Sequence, residues 1–530
     1  MVNKLLLLGD EAVAQGALDA GLSGVYAYPG TPSTEITEYI QQHPLARERG
    51  VRSRWCTNEK TAMEAALGMS YAGRRALVCM KHVGMNVCAD AFVNAAVTGV
   101  NGGLVVLAAD DPSMHSSQNE QDSRFYGRFA MVPVLEPSSQ QEAYDMMSDA
   151  FALSERLQLP VLMRIVTRLA HSRAAVQVDI ARAQNPLSPA ADRTHWVLLP
   201  GNARRQYAAL VEKQAEIKRI AAAATCNQLT LGRRGGVGIV ACGIGYNYVR
   251  EVASADVSVL KVSHYPLPEA SVRQLAAHCS ELLVVEDGQP VVEEQVRGLL
   301  PDDYPVCGRT TGHLPRTGEL TPDNVAHALG KENRRAFDKA VNVAARPPQL
   351  CHGCGHRDVY EALNQVVSQY PAARVFGDIG CYTLGALPPY QAIDTCVDMG
   401  ASITMAKGAA DAGLHPAIAV IGDSTFTHSG MTGLLDAVND QSPITVIISD
   451  NLTTAMTGGQ DSAGTHKYEA ICLALGVERE HLHVVVPLPK NMEEIRRIIR
   501  QEIEYQGVSV IIPQRDCIQA YARRNKQVAH

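Results

Sequence analysis

The chain is poor in several things, and each shortage narrows what it can be. Aromatic residues are 5% of its 530 positions, with seven Phe and two Trp, too few to mark any loop as an aromatic-lined pocket. No apolar run approaches the roughly 20 residues that a membrane-spanning helix requires. The first apolar run, Leu5 to Leu8, meets Asp10 and Glu11 at once, which does not suit an export signal. Charge of one sign is also scarce: the net value is −7 without long runs, which argues against nucleic-acid binding. Thirteen cysteines, an odd number, do not suggest a disulfide framework and point to a reducing, cytoplasmic setting. Cys79, Cys88, Cys226, Cys242 and Cys279 have apolar or small neighbours and read as buried fillers.

What is present is globular. Hydrophobic residues are 46% and charged ones 19%, and the length suggests three to four domains. Apolar strands alternate with helical segments, which predicts an α/β, multi-domain architecture of parallel sheets flanked by helices. We expect a first domain over 1–185, a connection with an amphipathic helix over 186–235, a smaller α/β domain over 236–330, a second large one over 345–520, and a polar tail over 521–530. GIVACGIG in the smaller domain lacks the third glycine of a dinucleotide fingerprint and is a weak signal.

The stretch with the most chemistry runs from Gly422 to Gln460. Ala417 to Ile421 reads as a strand ending at Gly422 and Asp423, followed by a turn and a helix near Gly430 to Val438. Ile444 to Ile448 reads as a second strand ending at Asp450 and Asn451. Side by side in a parallel sheet, these ends form the kind of crevice that binds ligands. Asp423, Asn451 and the Thr453 carbonyl would give magnesium three hard oxygens, and the backbone N–H groups after Gly422 would face a phosphate. The alternative is an ordinary strand–loop–helix with a surface Asp. Elsewhere, Tyr28 to Ile36 (YPGTPSTEI) places Pro29, Gly30 and Thr31 at a strand end, in a loop suited to ligand approach. Glu59 opens a helix whose small residues Ala65, Ala66 and Gly68 would pack tightly, and as an N-terminal carboxylate it would also suit the helix dipole. His82, Asn86, His115, Gln118 and Arg124 gather in polar loops after strands.

QLCHGCGH puts Cys351 and Cys354 in a Cys-x-x-Cys. Zinc, an iron–sulfur cluster, a redox pair or an inert pair all fit that motif. Cys381 and Cys517 fall at two further strand ends, and four thiolates at one edge favour a [4Fe–4S] cluster over zinc.

The ordered motifs YPGTPSTE, NEK, HSSQNEQDSR, CHGCGH, GDIGCYTLGALPP, MGASI, GDSTFTHSG and DNLTTAMTGGQ resemble the alpha subunit of indolepyruvate:ferredoxin oxidoreductase, within the thiamine-diphosphate-dependent 2-oxoacid:ferredoxin oxidoreductases. From Asp423 to Asn451 is 28 residues, similar to the family's GDG-to-N spacing, with Ser424 in place of the third glycine. The resemblance implies a pyrimidine-binding domain first, a transketolase-C-like domain second and a diphosphate-binding domain third, with the cofactor site formed across a subunit interface. It implies that Glu59 is the carboxylate on the aminopyrimidine ring and that Tyr28, Pro29, Gly30, Thr31, Gly380, Tyr382, Gly422, Asp423, Ser424, Asn451 and Thr453 contact the cofactor. Asp423, Asn451 and Thr453 would hold Mg2+, and Cys351, Cys354, Cys381 and Cys517 one [4Fe–4S] cluster. Thr31, His115, Gln118 and Arg124 would hold the substrate. The implied reaction is oxidative decarboxylation of an aryl-pyruvate-type 2-oxoacid to an acyl-coenzyme A, with electrons passing to ferredoxin or another carrier. Expected partners are a beta subunit with the gamma-type domain, in a dimer of heterodimers, with no membrane and no nucleic acid. Unlike the family pattern, the sequence has no CxxCxxCxxxCP run, so electrons would leave the single cluster directly or through another subunit. Two other readings are a non-oxidative thiamine diphosphate decarboxylase or lyase and a non-catalytic subunit.

Overall fold

The computed structural model describes residues 3–331 and 347–528 and divides the chain into two compact units, 1–339 and 340–530. The first two positions of the expected domain at 345–520 and the last two of the expected tail lie outside the described residues.

The second unit is a six-stranded, all-parallel sheet in the order Thr395–Cys396, Arg374–Gly377, Ala417–Gly422, Ile444–Ser449, Ser509–Pro513 and Leu482–Val485. Its central strands are apolar throughout because helices cover both faces, and a strand covered on both faces cannot alternate with polar residues. Successive side chains therefore enter opposite cores: Ala417, Ala419 and Ile421 join one, Ile418 and Val420 the other. The Gly422–Ser449 register sets the ends of two central strands level. After Gly422 the helix begins at once with Asp423 and runs through a π-helical segment, Phe426–Gly430, into Met431–Asn439. The separate turn expected there is absent. Most of the expected polar tail at 521–530 belongs to the helix Ile518–Val528.

Among the described residues the first unit contains three sheets. Seven strands run in the order His264–Tyr265, Val134–Leu135, Val161–Val166, Leu104–Asp110, Ala76–Lys81, Gly24–Ala27 and Arg52–Trp55, parallel except for the first. A five-stranded sheet is ordered Val306–Cys307, Glu281–Val285, Val237–Cys242, Ser258–Val262 and Gln228–Thr230. Gln228–Thr230 pairs antiparallel with Ser258–Val262, so this sheet begins before the boundary expected at 235. The expected connection carries the 24-residue helix Pro200–Ala223. Asn3–Leu8 leaves the expected parallel layer and pairs antiparallel with Arg173–Val178 in a sheet of its own.

Buried ion pairs tie the first unit together. Arg164, 0% exposed, meets Asp110 at 2.5 Å and Glu136 at 2.5 Å, and donates to the Asp287 carbonyl at 2.8 Å. Arg124 meets Asp122 at 2.6 Å and Glu286 at 2.9 Å. No helix among the described residues is long and apolar enough to cross a membrane.

Candidate active site

In the second unit the two strand ends do converge. Asp423, 3% exposed, accepts the Ser424 N–H on Oδ1 at 2.7 Å and the Thr453 N–H on Oδ2 at 3.2 Å. Asn451 Oδ1 accepts that same Thr453 N–H at 3.2 Å, so the two oxygens crowd one amide. Leu452, between them, sits at φ +61°, the left-handed turn that folds the chain back. Burial pushes the Asp423 carboxyl well up, and the neighbouring Asp450 carboxylate pushes it further. Asp450 accepts the Leu452 N–H on Oδ1 at 3.0 Å and Gln514 Nε2 on Oδ2 at 2.7 Å. Two buried carboxylates facing one another beside an amide oxygen form an oxygen set that suits Mg2+, whose charge would offset their repulsion. From the sequence Asp450 reads as a strand end at the crevice and not as a metal-site residue.

Beyond this point the loop is held by its own hydrogen bonds. Thr453 Oγ1 donates to the Gln460 carbonyl at 3.0 Å, the Thr454 N–H to the same carbonyl at 2.8 Å, and Thr454 Oγ1 to Ser424 Oγ at 3.0 Å. Tyr382 is buried with its ring against Gly380 and Gly422, where a Cβ would fall 2.3 and 2.5 Å from the ring. Its hydroxyl bonds Asp378, which also accepts from Gly400 N–H at 3.1 Å and Ser402 Oγ at 2.7 Å.

The four expected cysteines line one cavity of about 110 Å³, together with Asp450, Asn451, His356 and Arg515. All four are free thiols. Burial raises the Cys381 thiol to about 12, with Cys517, Cys354 and Cys351 adding to the rise. Such a group becomes thiolate only when cations compensate it. No three of these sulfurs lie within 4.8 Å of one another among the described residues. Ligands on a single zinc, at about 2.3 Å per Zn–S bond, would sit closer than that. Cys351, His352 and Gly353 are exposed, so the cavity has one edge at the surface. His356, fully buried, is held neutral by burial, with a pKa of about 4, and its Nε2 lies 3.4 Å from Asn451 Nδ2.

In the first unit, Tyr28 to Ser33 follows the strand Gly24–Ala27 as expected. Ser33 Oγ donates to the Gly30 carbonyl at 2.8 Å, and Thr34 Oγ1 accepts the Gly30 N–H at 3.1 Å. Thr31 precedes a cis proline, Pro32. Glu59, 5% exposed, is the first residue of the helix Glu59–Tyr71, capped by Asn58, whose side chain accepts the Thr61 N–H at 2.9 Å. The packing face differs from expectation: Ala62, Met63, Ala66 and Ser70 are buried, while Ala65 and Gly68 are exposed. Gly84 makes room for the carboxylate, since a Cβ there would lie 2.8 Å from Glu59 Oε1.

Of the substrate-binding candidates, Thr31 lies in the loop after Gly24–Ala27, and His115 and Gln118 in the loop after Leu104–Asp110. His115 is half-exposed and pairs with Glu319 at 3.3 Å, and Gln118 is exposed on the same loop. Arg124 is corrected: its side chain is 2% exposed and is committed to Asp122, Glu286 and Glu136, so it has no donor left for a substrate carboxylate.

Comparison with known proteins agrees with this arrangement. Residues 15–219 match the family model described as "Pyruvate flavodoxin/ferredoxin oxidoreductase, thiamine diP-bdg", and residues 378–512 the "Thiamine pyrophosphate enzyme, C-terminal TPP binding domain". The chain is 37% identical to the indolepyruvate oxidoreductase subunit IorA of Archaeoglobus fulgidus, over 99% of this chain and 88% of that protein. It is 36% identical to that of Thermococcus kodakarensis, over 97% and 86%. A solved 2-oxoglutarate:ferredoxin oxidoreductase from Magnetococcus marinus shares the fold with a TM-score of 0.52 at 17% identity, over 62% of this chain and 65% of that one.

Proposed function

Because the chain belongs to the family of indolepyruvate oxidoreductase alpha subunits, thiamine-diphosphate-dependent 2-oxoacid:ferredoxin oxidoreductases, we propose that it oxidises an aryl pyruvate and passes the electrons through one [4Fe–4S] cluster of its own. The cavity shared by Cys351, Cys354, Cys381 and Cys517 with Asp450 and Asn451 carries this reading. A cluster held there would stand beside the strand ends that suit a diphosphate and its metal.

The balanced reaction is 2-oxoacid plus coenzyme A thiol to acyl thioester, carbon dioxide, two electrons and a proton. The carbon–carboxylate bond breaks, a carbon–sulfur bond forms, and the electrons leave singly to two oxidised carriers of the ferredoxin class. Thiamine diphosphate supplies the carbon nucleophile and electron sink when bound. The chain's residues supply the rest. Glu59 holds the proton exchanged with the aminopyrimidine, in a site where burial excludes competing water. Asp423, Asn451 and the Thr453 carbonyl hold Mg2+, and the N–H groups after Gly422 face the diphosphate. In the first unit Tyr28, Pro29, Gly30 and Thr31 would meet the pyrimidine side of the cofactor, in the second Gly380, Tyr382 and Ser424 its diphosphate side, and Thr31 remains the candidate nearest the substrate. The exposed edge at Cys351 to Gly353 is the exit for electrons. A beta subunit with the gamma-type domain completes the coenzyme A site.

The test uses the complex with its partner subunit. Reduction of a low-potential dye by indolepyruvate, dependent on coenzyme A, together with a brown chromophore lost in Cys517→Ser, is expected. Aldehyde release without dye reduction would replace this reading with non-oxidative decarboxylation. No turnover of any 2-oxoacid by the loaded complex would end the assignment.

A further inference from the structure

A second constellation stands apart from the cysteine cavity, in the first unit. Asp10 is the second residue of the helix Gly9–Asp19 and is 0% exposed, yet neither of its carboxylate oxygens meets a hydrogen-bond donor among the described residues. Glu35, second in the helix Thr34–Gln42, has its Oε2 in the same condition. His171 follows the short helix Thr167–Ala170 and brings Nε2 to 3.6 Å from Glu35 Oε1. One ligand atom from each of the three residues lies within 4.8 Å of the other two. Gly9 makes the approach possible: a Cβ there would fall 2.2 Å from the Leu169 carbonyl oxygen, so a larger residue would push Asp10 away from His171.

A buried carboxylate without donors costs several kcal/mol unless it is neutralised or given a cation. Burial and the neighbouring Glu35 push the Asp10 carboxyl well up. A proton shared between Asp10 and Glu35 would satisfy only part of the set and leave at least one buried oxygen unpaired. Two carboxylates and an imidazole, by contrast, carry the charge and donor types that first-row divalent cations take. Ligands on zinc, at about 2.0–2.2 Å from the metal, stand roughly 3.4 Å apart. Only a small contraction from the present spacing is needed. The side chains of His171 and Glu35 are 35% and 37% exposed, which gives an entry path and room for a water ligand.

We propose that Asp10, Glu35 and His171 form a binding site for a zinc-class divalent cation, which staples the start of the helix Gly9–Asp19 to the helix that follows the Tyr28–Ser33 loop. The cation's role is positional: it fixes the far end of that loop through Glu35. The site stands whether or not the catalytic reading does, because none of its residues belongs to that reading.

The experiment is a cobalt titration of the full chain with its partner subunit after chelator treatment, read by visible absorption and metal content. With magnesium in excess to hold the Asp423 site, wild type is expected to bind one equivalent with the weak bands of oxygen and nitrogen ligation. That equivalent should be lost in Asp10→Asn and in His171→Ala and kept in the Cys351→Ser/Cys354→Ser variant. Thiolate-bound cobalt has intense sulfur charge-transfer bands and would vanish in the cysteine variant instead, so the two sites are told apart. Amide exchange across 28–34 should slow on metal addition in wild type alone. His171→Ala changes a partly exposed residue and serves if Asp10→Asn does not fold. Equal oxygen- and nitrogen-type binding by wild type and His171→Ala, or none by either, overturns the proposal in favour of a shared proton.

Discussion

Replacing Gly84 with alanine tests the placement of Glu59 without touching Glu59. The added Cβ would lie 2.7 Å from Glu59 Cγ, 2.8 Å from its Oε1 and 2.9 Å from Met80 Cβ. All three are side-chain atoms, so the clash is relieved by a shift of the Glu59 or Met80 side chain. Gly84 lies inside the helix His82–Thr98 and is not among the glycines with positive φ, so the backbone accepts alanine. Helix propensity then favours the variant by about 1 kcal/mol. Overpacking costs about 1–3 kcal/mol, leaving a net loss of roughly 0–2 kcal/mol. The chemical effect is larger, since a displacement of about 1 Å in a positioned group costs on the order of 100-fold in rate. We expect kcat to fall about 100-fold in the dye-reduction assay with the partner subunit, while thermal unfolding shifts by only a few degrees. Glu59→Gln, which keeps the shape and removes the acid–base function, should lose about 10²–10⁴-fold. Near-wild-type turnover in a well-folded Gly84→Ala enzyme would refute the claim that the reaction needs the carboxylate in its observed place.

Asp423→Asn should weaken magnesium-dependent cofactor binding by at least about 10–100-fold, taking the loss of an outer-sphere partner as the lower bound. Calorimetric titration checks this, and the apo variant should be no less stable than wild type, because the repulsion with Asp450 is removed. Arg164→Met should cost about 3–5 kcal/mol of unfolding free energy by leaving Asp110 and Glu136 without their cation, measured by urea denaturation of the first unit's transition. His264 gives the pH test. Burial lowers its pKa from 6.5 to about 4, so its contribution is present above pH 6.5 and is lost as the pH falls through 4. At 1.36 kcal/mol per unit, wild type should lose about 3 kcal/mol relative to His264→Leu over that interval. Parallel stability curves for the two proteins would show that His264 does not titrate as buried.

Much of the diphosphate edge was legible in the sequence because the signal is local. A five-residue apolar run can cross the sheet only once, so the polar residues after Ile421 and Ile448 had to fall at its carboxyl edge. The same logic brought Cys381 and Cys517 to the cavity from sites far from the Cys-x-x-Cys. Arg124 shows where local reading stops. Its partners Glu136 and Glu286 are supplied by other elements, the second from a different sheet, and nothing near Arg124 in the chain announces them. Leu5 to Leu8 is a strand as its composition requires, but β-propensity does not choose a partner. Arg173–Val178 takes it antiparallel. The helix opened by Glu59 was found, yet its buried face was misjudged because small residues stand on both sides of it.

Buried carboxylates in this chain fall into two kinds that sequence cannot separate. Asp378 accepts from Gly400, Ser402 and Tyr382, and Asp110 from Ser123 at 3.0 Å and from Arg164. Such groups are complete within the fold, and their work is to hold backbone. Asp423 has two amide donors for a carboxylate that faces Asp450, and Asp10 has no donor for either oxygen beside Glu35. Folding these groups into place leaves an electrostatic cost that the protein alone does not remove. A cation removes it, so each such carboxylate marks a place where binding and stability are linked. On this argument metal addition should raise the unfolding temperature of each unit separately, through Asp423 in the second and Asp10 in the first. Asp423→Asn should abolish the magnesium-dependent shift alone and Asp10→Asn the cobalt-dependent one alone, in calorimetric scans of the same protein. Loss of both shifts in either single variant would mean that the two sites are not independent.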